Sequence, residues 1–138
     1  MCKNMIKTTA IPNVHGIGRR KKATARVWLK RGGGSIIVNG RKYDEYFPTK
    51  VTQKAVNLPL RVVGLEKDLD INVNICGGGV NGQADAVKLG ISRALLAFDE
   101  RFKNSLRKYG LLTVDSRVKE RKKYGQRGAR RKFQFVKR

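Results

Sequence analysis

The chain is expected to be α+β: a two-layer sandwich of a small, antiparallel-rich sheet with helices on one face, carrying a long basic C-terminal tail. Three observations predict this. ATARVWLK at Ala23–Lys30 and LDINVNIC at Leu69–Cys76 alternate apolar and polar residues with the period of half-buried strands. From Ala84 to Phe98, apolar residues recur at spacings of three and four, as on a helix facing a core. The last eighteen residues, RKKYGQRGARRKFQFVKR, hold nine Lys or Arg and no acid, too repulsive a set to pack on its own domain.

The elements follow in order. Met1 to Gly16 has neither the apolar centre of a signal peptide nor the repeated Arg of a transit peptide. It reads as an N-terminal extension, and a cleaved organelle address in a longer precursor stays open. In ATARVWLK, Ala25, Val27 and Leu29 share the buried face, and Thr24, Arg26, Trp28 and Lys30 the other. Arg31–Gly34 breaks this strand, and SIIVNG forms the next. Asn39-Gly40 is a two-residue turn signal, since both residues tolerate positive φ. RKYDEYF then returns as a third short strand, completing a β-hairpin group.

Thr49 to Leu58 carries Val51, Ala55, Val56 and Leu58 at helical spacing and is expected to end at Pro59. LPLRVVG follows as a connector or a further helical turn. The Leu69–Cys76 strand leads into three glycines and then the long helix, whose stripe is Ala84, Val87, Ile91, Ala94, Leu95 and Phe98. Asp85 is expected in its first turn, where the helix dipole favours an anion. Phe102 and Leu106 extend the stripe as one helix or two, with Asp99 and Lys103 as an i,i+4 pair. Gly110 is a natural C-cap, and LLTVDSRV runs extended into the tail. The divisions are residues 1–15 as extension, 16–114 as globular domain and 115–138 as tail.

Charge narrows the function. The 138 residues carry a net charge of +22, far above the magnitude of about 2–8 that suffices for solubility. Seven Lys or Arg and no acid lie between Arg19 and Arg31, and eleven Lys or Arg with only Glu120 between Arg117 and Arg138. Eight of the ten acids fall between Asp44 and Glu100, so a near-neutral body has two basic ends. Such a field favours a polyanionic partner. Arg19, Arg20, Lys21, Lys22 and Arg26 are candidates for phosphate contact at the first end. Arg117, Arg121, Lys122, Lys123, Arg127, Arg130, Arg131 and Lys132 are candidates at the second. Tyr124, Phe133 and Phe135 are interleaved with the tail cations, and Arg and aromatic side chains both stack on bases. This patterning favours nucleic acid over a membrane, for which no apolar run reaches about 18 residues.

Other chemistry finds little support. His15 has no nucleophile or carboxylate beside it, and Cys2 and Cys76 have no metal-ligand spacing; no cofactor, metal or catalytic residue is expected. Cys76, in an alternating run, is expected as a buried reduced thiol. GGGVNGQ, at Gly77–Gln83, stands open to three readings: a tight turn, an approach to an RNA backbone, or a nucleotide site, the weakest because no Gly-Lys-Ser/Thr closes the loop. Trp28 has two, covering the core's edge, which the reading favours, or stacking on a base. A nucleotide-binding enzyme and a free cationic nucleic-acid chaperone are the rival functions.

Four segments, GRRKKATARVWL, VNGRKYDEYF, GGGVNGQADAVKLGISRAL and DSRVKERKKYGQRGARRKFQFVKR, occur in an order and spacing that resembles the family of the ninth small-subunit ribosomal protein, bacterial or organellar in type. The resemblance spans roughly Gly16 to Arg138. It implies a non-enzymatic RNA-binding component with a two-layer fold like the second domain of the fifth small-subunit ribosomal protein, including a left-handed βαβ crossover. It further implies a body lying in the subunit head against ribosomal RNA and neighbouring ribosomal proteins. The tail would thread inward until Lys137 and Arg138, which match the family's terminal Lys-Arg, contact the peptidyl-site tRNA. The implied location is the ribosome, cytoplasmic or organellar. Val136 departs from the Ser of many relatives, Phe133 falls where relatives often carry Pro, and Met1–Val14 matches no part of the pattern.

Overall fold

The computed structural model describes residues 14–136. Its elements are β1 (Val14–Arg20), β2 (Ala23–Arg31), β3 (Ile36–Val38), β4 (Arg41–Lys42), α1 (Tyr43–Tyr46), α2 (Lys50–Val63), β5 (Leu69–Cys76), α3 (Val80–Phe98), a 3-10 turn (Glu100–Phe102) and α4 (Lys103–Lys108). The five strands form one sheet in the order β1-β2-β5-β3-β4. All pairs are antiparallel except β3 with β5. The α+β expectation is met.

Alternation places Ala25, Val27 and Leu29 of β2 and Ile71, Val73 and Ile75 of β5 on one face, where all are buried. The same parity turns Cys76 outward: its thiol is exposed, not buried. The core lies between this face and α3, with α2 beside it, and Phe47, Leu60, Leu95 and Leu106 fill its largest positions. Fully burying a side chain of this size contributes about 1.5–3 kcal/mol.

Several local expectations are corrected. Asn39-Gly40 does turn between paired strands, with φ of 49° and 82°. The segment before it does not form a hairpin with β2, because β5 lies between them. RKYDEYF is a strand only at Arg41–Lys42 and then coils into α1, which delivers Phe47 to the core. The Asn39 side chain extends the pairing of β3 with β5. Its Nδ2 donates to the Ile75 carbonyl at 3.0 Å, and its Oδ1 accepts from the Ile75 N–H at 2.9 Å.

Pro59 does not end the helix; α2 continues to Val63 and stops at Gly64, φ 78°. An interior proline costs about 3 kcal/mol. Burial of Val56 and Leu60 beside a buried Pro59 offsets that cost. α3 begins at Val80, so Asp85 lies beyond its first turn. It stops at Asp99, whose carboxylate accepts from the Arg101 N–H at 2.9 Å as a cap. No Asp99–Lys103 ion pair forms among the described residues; the apolar pattern resumes in α4 as a second helix, and Gly110 follows it with φ 65°.

β1 has no counterpart in the sequence reading. Its fully buried positions are Gly16 and Gly18, with half-buried Val14 on the same face. A Cβ on Gly18 would lie 1.8 Å from the Ala86 carbonyl oxygen and 2.5 Å from the Gly90 nitrogen. One on Gly16 would lie 2.3 Å from the Gly90 carbonyl oxygen. Strand and helix therefore touch backbone to backbone across Ala86, Gly90 and Ala94, which share one face of α3 at four-residue intervals.

Candidate nucleic-acid interface

The first basic run is the tip of the β1–β2 hairpin. Arg20 pairs with Ala23, leaving Lys21 and Lys22 as the two turn residues. Lys21 takes φ 53°, and Arg19, Lys21 and Lys22 are exposed. The glycine loop packs behind this tip. Gly77 (φ 76°) and Gly78 (φ 67°) lie so close to it that a Cβ on Gly77 would be 2.3 Å from the Lys22 carbonyl oxygen. A side chain would be strained there as well as crowded. Two of the three glycines are thus explained by a tight turn against the hairpin, without a nucleotide. Gly79 opens α3 with no side-chain cap, and Val80 and Asn81 are exposed beside the tip.

Arg20 differs from its neighbours. Its side chain is only 13% exposed and points to the start of the tail. Its guanidinium donates to the carbonyl oxygens of Asp115 (3.1 Å) and Arg117 (2.9 Å), and pairs with the carboxylates of Asp115 (3.0 Å) and Asp85 (3.6 Å). Lys88 holds the other oxygen of Asp85 at 2.9 Å. Arg117 folds back on Asp115 through both its backbone N–H and its guanidinium. These hydrogen bonds, with the Arg20 charge nearby, hold the Asp115 carboxyl far below the usual carboxylate range.

This node makes a testable demand. Arg20→Gln should raise hydrogen exchange at the Arg117 amide about tenfold or more, as expected for losing charged hydrogen bonds. Acid should do the same. A depressed carboxyl pKa stabilises the folded arrangement above the ordinary value of about 3.9 and ceases to as pH falls through the folded value. Exchange at Arg117 that ignores both changes would refute the assignment.

Past Thr113 the described chain has no helix or strand, only an isolated bridge between Gln126 and Lys132. Glu120 gathers Lys123 and Arg130 on its two oxygens, and these contacts lower its pKa. The Arg127 N–H donates to the Arg131 carbonyl at 2.8 Å, closing a short loop. Of the thirteen cations singled out for RNA, four are held by acids: Arg20, Arg117, Lys123 and Arg130. The other nine, Arg19, Lys21, Lys22, Arg26, Arg121, Lys122, Arg127, Arg131 and Lys132, have no ion-pair partner among the described residues. Tyr124 is 96% and Phe135 102% exposed, so neither ring is covered by protein. Lys137 and Arg138, expected at the tRNA, lie outside the described residues.

On the outer face of the sheet, cross-strand register aligns His15, Trp28, Asn72, Ile37 and Lys42 in one row, one residue from each strand. Ile17, Arg26 and Asn74 form the next row, and Lys30 pairs with Asp70 on the other side. Trp28 does not cover the core's edge: it lies half-buried on this outer face, its ring 5.5 Å from that of His15. Among the described residues there are no groups of His, Cys, Asp or Glu able to hold a metal ion, and no helix is long and apolar enough to cross a membrane.

Residues 18–138 match the family described as ribosomal protein S9/S16. The chain is 54% identical over 125 residues to the small ribosomal subunit protein uS9 of Cytophaga hutchinsonii, covering 91% of this chain and 98% of that one. It is likewise 54% identical over 124 residues to that of Solidesulfovibrio magneticus, covering 90% and 95%.

Proposed function

Since this chain belongs to the ribosomal protein S9/S16 family, structural and non-enzymatic constituents of the small ribosomal subunit, we propose that it binds that subunit's RNA through the hairpin tip and the tail, and touches the peptidyl-site tRNA with its last residues. The observation that carries this reading is the set of cations without acid partners among the described residues: three at the exposed hairpin tip and five in the tail, two segments that Arg20 ties together, with Arg26 on the sheet beside them. A charge left unneutralised by its own protein is free to displace counterions from a phosphate backbone, and that release drives binding. Tyr124, Phe133 and Phe135 add stacking along the tail. Neighbouring ribosomal proteins of the subunit head complete the proposed surroundings.

The proposed mechanism is placement. The globule supplies a rigid base, and the tail orders along RNA, its ordering entropy offset by counterion release and stacking. The full chain should co-sediment with small subunits through a moderate salt wash. Removing Lys137 and Arg138 should weaken tRNA retention in the peptidyl site while leaving assembly largely intact. Unchanged tRNA affinity in ribosomes carrying the truncated chain would sink the tRNA part, and loss of the full chain in the wash would sink the whole.

A further inference from the structure

We propose that the outer face of the sheet is a second, base-reading contact: Trp28, backed by His15, is a platform for an unpaired RNA base. The inference rests on the RNA-binding reading above and assigns it a site apart from the hairpin tip and the tail.

The argument begins with parity. Inward residues of β2 and β5 fill the core, so Trp28 and Asn72, paired across these strands, both point outward. A tryptophan there has no core to enter. It is half-buried against His15 at an interplanar angle of 43°, and among the described residues no helix is packed over this face, since α3 lies against the opposite side of β1 and β2.

The surroundings suit one class of occupant. Arg26 and Lys30 flank Trp28 along β2, and Lys42 ends its row. Asp70 is the one acid in these rows. Its Oδ1 is already engaged by the Gly33 N–H (3.1 Å), the Ser35 N–H (2.9 Å) and the Ser35 hydroxyl (2.8 Å). The face therefore combines positive charge, an aromatic ring and the amides of Asn72 and Asn74. An acidic protein would answer the charge and leave the ring and amides unexplained. An unpaired nucleotide answers all three: phosphate to the cations, base to the indole, base edge to an amide. Sheets that bind single-stranded RNA in general offer aromatic rings in this way.

Trp28 is the chain's single tryptophan, so its fluorescence reports on this face alone. The full chain is titrated with a labelled, unstructured oligoribonucleotide and, separately, with polyphosphate, which has charge but no bases. The oligoribonucleotide should quench Trp28 emission; polyphosphate, though bound, should not. Trp28→Leu keeps apolar bulk but cannot stack. It should weaken oligoribonucleotide binding by about fivefold to a hundredfold without changing the slope of log affinity against log salt. Trp28→Phe should retain most of the affinity, and circular dichroism should show both variants folded. Equal emission changes with the two polyanions, or Trp28→Leu binding as tightly as the parent, would overturn the platform while leaving RNA binding by the other segments intact. Binding of the labelled RNA with no change in Trp28 emission would leave the face to another partner and overturn the platform too. Failure of the parent chain to bind the labelled RNA at all would instead remove the reading on which the platform rests.

Discussion

Gly18→Ala will lower the melting temperature by about 10 °C or more, the largest loss expected from adding one methyl group to this protein. The new Cβ would lie 1.8 Å from the Ala86 carbonyl oxygen and 2.5 Å from the Gly90 nitrogen. Both are backbone atoms of α3, so no side chain can rotate away; strand and helix must separate. Overpacking typically costs about 1–3 kcal/mol and occasionally more. A clash with rigid backbone belongs at the upper end, and about 3 kcal/mol corresponds to a shift of this size in a domain of this length. Gly33→Ala is the control. No atom lies within 4 Å of its added Cβ, so its melting curve should overlay the parent's. A Gly18→Ala protein that melts with the parent would mean that β1 does not seat on α3 as described.

Replacing Lys122, Arg127, Arg131 and Lys132 together by Gln should cut RNA affinity by about two orders of magnitude at 0.15 M salt. None of the four has an ion-pair partner among the described residues. Each phosphate contact contributes about 0.7–0.9 to the slope of log affinity against log salt. Four lost contacts flatten that slope by about 3, and the affinity loss follows from the same relation. The sign can be tested in the other direction. Glu120 occupies Lys123 and Arg130, so Glu120→Gln should release both and tighten binding. Filter binding across a salt series checks the two variants; an unchanged slope in the fourfold variant would show that these residues do not reach phosphate.

The legible part of this fold was wherever burial leaves a period. Val27 and Leu29 on one strand and Ile71 and Val73 on another alternate, and the stripe of α3 repeats, because in each case one face meets the core. β1 leaves no period in the sequence because its fully buried positions are glycines, which have no hydropathy contrast. The available signal lay on the partner: Ala86, Gly90 and Ala94 form a stripe of small residues that leaves room for a backbone. Cys76 shares its parity with Asp70, Asn72 and Asn74, and that parity, not its apolar run, decides that it faces outward. Pro59 reads as a stop because its local cost is legible in the sequence and the tertiary burial beside it is not. Among the cations, Arg19 and Arg20 are chemically identical in the sequence. Only β pairing turns one to solvent and the other to Asp85 and Asp115, residues far along the chain.

The strand order has a temporal side. β2 and β3 are neighbours in the chain but not in the sheet, and the strand that joins them is the last of the five to emerge during synthesis. Until residue 76 has left the exit tunnel, each has a bare hydrogen-bonding edge, and bare edges invite pairing with other chains. A nascent polypeptide stalled before that point would be the most aggregation-prone intermediate of its biogenesis, and one lengthened just past it would be the first able to close its own sheet.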